Sequence, residues 1–285
     1  MKNIYFLILK KRWFLFTILF LLVFLTNSVL WNESTQLIRR YPAIERLKIE
    51  ADKGSYESLY IPEADETGAL ISISMEERNE LYHTLLTALR DGRAIYRNKI
   101  AYIEKGEKLQ LLTATKLKDV FSKEELSEHF LNDILFQKSR DNKELFKKII
   151  AINQAFSIRT MKESYQVEKD YYMNNFYFAV AFSCLLLTFA FFILYWLLSA
   201  SIKICQGELR LLRVIGAGER WLRGRFLILF SIPIVMGFIG MVLFIFAIGL
   251  NFIWADWIYL LVFNLLFIIS AHVNISRHTK GVFNA

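Results

Sequence analysis

Four long apolar runs, near residues 13–31, 176–200, 226–250 and 254–273, constrain this 285-residue chain more than any other feature. The first holds 19 residues without a charge. As a helix rising ~1.5 Å per residue it would reach about 28 Å, enough to cross a bilayer core. Trp13 and Trp31 stand at its two ends, where the interfaces would lie. A cleaved signal peptide would carry a shorter apolar core and a small-residue cleavage site, and residues 27–31 supply neither. The expectation is therefore an uncleaved first span, with residues 1–12 as an interfacial lead-in carrying Ile4, Leu7 and Ile8 at helical spacing.

Between the first two runs, residues 32–175 have the mixed, charged composition of a soluble domain. The fold class expected is an α-helical membrane protein, with four transmembrane helices and a mixed α/β extracytoplasmic domain between helices 1 and 2. Its parts are a lead-in and first span (1–31), the outer domain with stalk helices (32–175) and the second span (176–200). A cytoplasmic loop (201–225), the third span (226–250), an outer hairpin with the fourth span (251–273) and a cytoplasmic tail (274–285) follow.

Local signals fill in the outer domain. Residues 31–52 extend the first span outward as a helix bent at Pro42, and residues 58–74 read as short strands. Ser74 with Glu77 spells a capping box, opening a helix closed by Asp91-Gly92. Residues 95–103 and 108–114 alternate around Gly106 as a hairpin. Ser122 with Glu125 opens a further helix to about Phe136, and Asp141 with Glu144 another through Leu145, Ile149 and Ile152. Residues 157–175 are polar and helix-compatible, a stalk leading into the second span. Tyr171, Tyr172 and Tyr177 form an aromatic belt at its outer end. Pro233 should kink the third span, and Gly237, Gly240 and Gly249 allow close helix contact. Asp256 falls in the outer hairpin.

The formal charge of +8 is uneven. Lys2, Lys10, Lys11 and Arg12 open the chain, Arg277 and Lys280 lie near its end, and six basic residues lie in 200–225 against Glu208 and Glu219. The soluble middle is close to neutral, which argues against nucleic acid as a partner. Four spans put the three basic segments on one side, which the positive-inside rule makes cytoplasmic. The two cysteines, Cys184 and Cys205, lie in or beside an apolar run and supply no disulfide framework. His83, His129, His272 and His278 are scattered, without a metal-binding or nucleophile pattern, so a catalytic role is not expected.

The segment between the second and third spans is the most informative. Residues 201–215 are good helix formers with Leu209, Leu212 and Ile215 on one face, and Gly216 and Gly218 can end a helix. On residues alone this is an inner loop whose arginines set topology. The order Glu208-Leu209-Arg210-Leu211-Leu212-Arg213-Val214-Ile215-Gly216-Ala217, however, resembles the segment after the second span in FtsX-like and MacB-like ABC transporter permeases. The four-span layout is similar too. The tail, residues 277–285, departs from the pattern that family's larger transporters carry, and residues 32–175 contain no motif of theirs.

The resemblance implies a permease subunit in a bacterial cytoplasmic (plasma) membrane, dimeric with a second permease subunit, homo- or heteromeric, and driven by a separate cytosolic ABC ATPase. ATP and magnesium would sit in that partner, since the chain has no phosphate-binding Gly-Lys-Ser/Thr loop, and no cofactor is expected here. Glu208, Leu209, Leu212, Arg213, Ile215, Gly216 and Ala217 would form the ATPase-coupling segment. Besides membrane lipid, an extracytoplasmic adaptor, peptide or hydrolase would be the outer partner. The expected function is export or extraction of a peptide, lipid-linked or antimicrobial substrate. Alternatives are mechanical regulation of a cell-wall hydrolase and an ATPase-independent sensor.

Overall fold

The structure, a computed structural model, describes residues 2–62, 64, 73–122, 128–204, 216 and 219–284. It divides into two compact units, one formed by Met1–Leu37 with Met173–Ala285 and the other by Ile38–Tyr172.

The first unit is helical. Its elements are the start of α1 (Lys2–Asp52), the larger part of α7 (Met161–Ile204), α8 (Glu219–Ala247) and α9 (Trp254–Asn284). All four are long and apolar enough to cross a membrane, which fits a multi-pass membrane protein. Phe178, Leu185, Phe189, Leu243 and Leu265 are more than half exposed, as side chains facing lipid would be. Inward, Phe16, Leu19 and Val23 of α1 meet Leu194 and Leu197 of α7, Phe230 and Ile234 of α8, and Phe267 and Ala271 of α9. Phe230 stacks on Phe16 at 6.0 Å and on Phe226 at 5.9 Å.

Of the three glycines read as contact points, Gly237 is the close one. A Cβ there would lie 2.9 Å from the Phe20 carbonyl oxygen and from Val23, so only glycine lets α8 approach α1 this tightly. Gly240 meets Phe20 less closely, at 3.3 Å. Gly249 plays a different part. Its φ is +75° with open space around it, and it follows the end of α8 as a left-handed residue. Pro233 lies within α8, which continues on both sides of it. The break in α1 falls at Arg12 (φ −130°, ψ 16°), while Pro42 lies inside continuous helix.

The second unit is built on a five-stranded antiparallel sheet, ordered β3-β2-β4-β1-β5. The strands are β1 (Tyr56–Tyr60), β2 (Ile95–Arg97), β3 (Gln110–Leu111), β4 (Leu135–Phe136) and β5 (Phe156–Thr160). One face, with Tyr60, Ile95, Phe136 and Phe156, is covered by α2 (Met75–Arg90), α4 (Ala114–Phe121) and α6 (Asn142–Ile152), through Leu81, Leu85, Leu117, Leu145 and Ile149. The other face carries Leu135 against Ala43 and Leu47 of α1, Ile103 of α3 (Lys99–Lys105) and Met161 of α7. Neighbouring Leu135 and Phe136 thus serve opposite faces, as the period of two in a strand requires.

The Ser74 capping box is present. Ser74 N donates to Glu77 Oε2 at 2.8 Å, and Glu77 N donates to Ser74 Oγ at 3.2 Å. Hydrogen bonds from Ser74, with one from Asn153 Nδ2, hold the Glu77 carboxyl below its ordinary value. Three other expectations are corrected. The hairpin around Gly106 is interrupted by α3, because the Asp133 carboxylate accepts from Asn98 N and Ile100 N, both at 2.7 Å, and so caps a helix start. Gly106 (φ +76°) ends that helix, and β3 still pairs with β2. Ser122 closes α4, and the expected helix to Phe136 is instead a short α5 (Glu128–Asn132) followed by β4; residues 123–127 lie outside the described residues. The polar stretch after residue 156 begins as β5, which pairs with all of β1, and turns helical only at Met161.

Glu57 of β1 lies opposite Leu135 and Arg159, on the same face as α3. It is 4% exposed and accepts from Lys99 Nζ at 2.7 Å, from Arg159 Nε at 2.6 Å and from Ser164 Oγ. Lys99 is itself buried. Burial would raise the Glu57 carboxyl, but the Lys99 charge and the three donors outweigh it and hold the group below its ordinary value. Its stabilising contribution is therefore complete above the ordinary carboxylate range and is lost as pH falls through the lowered folded value. Glu57→Gln, which leaves Lys99 buried and unpaired, should destabilise this unit by about 3–5 kcal/mol at neutral pH. Hydrogen exchange of the full chain in detergent measures this through the protection of β1 and β5. The difference from wild type should shrink below pH ~4; unchanged protection at neutral pH would contradict the assignment.

Candidate functional site

Of the segment read as the coupling site, the structure describes one residue. Gly216 sits in an exposed turn with φ +88° and open space where a Cβ would be. Glu208, Leu209, Leu212, Arg213, Ile215 and Ala217 lie outside the described residues. The bounding helices are longer than the apolar runs suggested. Among the described residues, α7 continues to Ile204 and α8 begins at Glu219; between them only Gly216 is described. On α8, the Arg225 guanidinium lies 5.2 Å from the Trp221 ring centre, a cation–π contact one turn apart.

The described part of the helical unit contains a polar seam that sequence reasoning missed. Asn27, Trp31 and Thr35 recur every four residues on α1 and so share one face. They oppose Asn264, Leu260 and Asp256 of α9, running the other way. Asn27 Nδ2 donates to Asn264 Oδ1 at 3.2 Å, and Asn264 Nδ2 returns a bond to Asn27 Oδ1 at 2.7 Å. Each amide also donates to its own helix four residues back, to Val23 O at 2.9 Å and Leu260 O at 2.8 Å. Asn27 is fully buried and Asn264 nearly so. Trp31 and Leu260 pack together with Met241 and Ile245 of α8.

At one end of the seam is Asp256, also fully buried. Placed by the sequence in the hairpin before the fourth apolar run, it belongs to the first turn of α9. Thr35 Oγ1 donates to Oδ1 at 2.7 Å and Tyr259 OH at 3.1 Å, while Ile253 N donates to Oδ2 at 2.9 Å and Trp31 Nε1 at 3.2 Å. Four neutral donors thus surround a carboxyl at a helix N-terminus, where the backbone dipole favours negative charge. Asn264 lies two turns further in, about 12 Å along the helix. The arrangement ties the first and fourth spans together.

His83 is exposed on α2, beside a groove of about 220 Å³ that includes Glu80, Asp91, Arg93 and Lys148. Among the described residues, no group of three or more His, Cys, Asp or Glu side chains could hold a metal ion. No protein-family model matches the chain, and no curated protein matches it.

The seam's two amides should be energetically coupled. Asn27→Leu or Asn264→Leu alone strands the other amide, while the double substitution removes both. In a double-mutant cycle read by unfolding in detergent, the coupling should be about 0.6–1.7 kcal/mol. Additive single effects would show that the amides do not depend on each other.

Proposed function

We propose that this chain is the permease subunit of an ABC-type machine, working as a dimer with a separate cytosolic ATPase in a bacterial plasma membrane. In this reading the two termini and residues 205–218 are cytoplasmic, and residues 38–172 lie outside. The segment Glu208–Ala217 docks on the ATPase through Leu209, Leu212 and Ile215, and Glu208 and Arg213 set its register. ATPase closure then reaches residues 38–172, which engage an amphipathic peptide, a lipid-linked molecule or an antimicrobial compound.

The observation that carries this reading is that α1 and α7 each contribute residues to both units, while residues 205–218 join α7 to α8. Displacing that connection would act directly on the helix that carries the second span. The left-handed Gly216 supports the same reading, because a turn of this kind stops a helix and fixes the direction of the chain after it.

The test is to purify the tagged full chain from its native membrane in mild detergent, alongside Leu212→Glu combined with Gly216→Leu. The first change puts a charge on the apolar docking face. The second places a side chain where φ is +88°, a conformation that costs a non-glycine residue about 1–2 kcal/mol. A soluble ATPase should accompany the wild type and be lost from the variant. Recovery of folded wild-type protein with no ATPase would overturn the reading.

A further inference from the structure

Beyond the coupling segment, the helical unit has a second feature that the proposed function does not use. A groove of about 740 Å³ opens between the start of α1 and the end of α7. Lys11, Arg12 and Phe14 line it from α1, and Trp196, Ser199 and Lys203 from α7. Trp196, Ser199 and Lys203 stand at i, i+3 and i+7, so one face of α7 presents them all. Among the described residues, no carboxylate lines the groove and no ion pair involves Lys11, Arg12 or Lys203.

Arg12 is the unusual member. The backbone of α1 leaves helical geometry there. Its Nε is buried without a hydrogen-bond partner among the described residues. A buried, charged donor left unpaired is costly, which makes an anion the natural missing partner. The groove's position narrows the choice. It lies where the first apolar run begins and the second ends, which is the depth of the headgroups if these helices cross a bilayer. Phe14 and Trp196 are 61% and 62% exposed beside the cations, so apolar surface suited to an acyl chain adjoins charge suited to a phosphate.

We propose that this groove binds the phosphate headgroup of an anionic phospholipid, from the leaflet on the side of residues 11 and 203. Arg12 and the two lysines hold the phosphate, and Phe14 and Trp196 lie along the upper acyl chain. Basic pockets between spans are suited to such headgroups. The proposal rests on the four-span reading alone and does not depend on an ATPase partner.

Native mass spectrometry of the full chain in detergent, titrated with phosphatidylglycerol or phosphatidylcholine, tests it. The wild type should retain phosphatidylglycerol preferentially. Arg12→Gln with Lys203→Gln should weaken that retention about thirtyfold, at one charge's worth of attraction per residue removed. Lys203→Gln alone, at an exposed position, should weaken it about fivefold without disturbing packing. Arg277→Gln with Lys280→Gln removes the same formal charge from residues outside the groove's described lining and should leave retention unchanged. Binding should survive about 1 M salt, where surface attraction is screened within ~3 Å. Equal loss in the Arg277/Lys280 control, no preference between the lipids, or displacement by inorganic phosphate would each overturn the assignment.

Discussion

Lipid gives apolar helices no hydrophobic reason to associate, since hydrocarbon chains already surround them. Everything that holds the helical unit together must come from close packing and from polar groups that have no other place to go. The structure uses both. Gly237 removes a side chain where α8 crosses Phe20 and Val23, and about two turns away on α8 Phe230 stacks with Phe16 and Phe226. The Asn27–Asn264 pair and the donors around Asp256 join α9 to α1. Within the seam, the side-chain polar atoms of Asn27, Asn264 and Asp256 all have partners.

The unit of residues 38–172 solves the opposite problem. It can bury apolar surface against water, and it does so on both faces of a five-stranded sheet. Its specificity comes from buried charge. Glu57 draws together β1, β5, α3 and the start of α7 through Arg159, Lys99 and Ser164. Nearby, Glu50 takes Ser55 Oγ at 2.9 Å and Lys53 Nζ at 2.7 Å, fixing the turn from α1 into β1. Arg46 donates to the carbonyls of Ile103 and Glu104 at the end of α3, where a cation complements the helix dipole. The Glu57 bonds tie α3 and the start of α7 to β1 and β5, and the Arg46 bonds tie α1 to the end of α3.

The four spans and the Ser74 capping box were legible because their signals are local. A span announces itself in about twenty consecutive residues, and a capping box in four. The seam was not legible, because Asp256 meets Thr35 and Trp31 across more than 220 positions and nothing near Asp256 in the chain names them. Strand β5 was hidden in the same way. Its five residues look like the start of a stalk until they are paired with β1, about a hundred positions earlier. Gly106 showed that a left-handed glycine marks a stop without saying of what: a turn was expected, and a helix end was found. Of the coupling segment, the structure adds only the left-handed turn at Gly216.

The spacing of the seam has a mechanical consequence. Asn27, Trp31 and Thr35 meet Asn264, Leu260 and Asp256 in one alignment. If α9 slid by one turn along α1, Asn27 would face Leu260 or Ile268, and an amide would be left bare in hydrocarbon. Intermediate offsets satisfy neither stripe. The pair therefore behaves like a key cut for a single notch, resisting axial slip while leaving rotation about the seam comparatively free. In any conformational cycle these two helices would travel as one piece, with α8 held against them at Gly237, Met241 and Ile245, and relative movement would fall to α7.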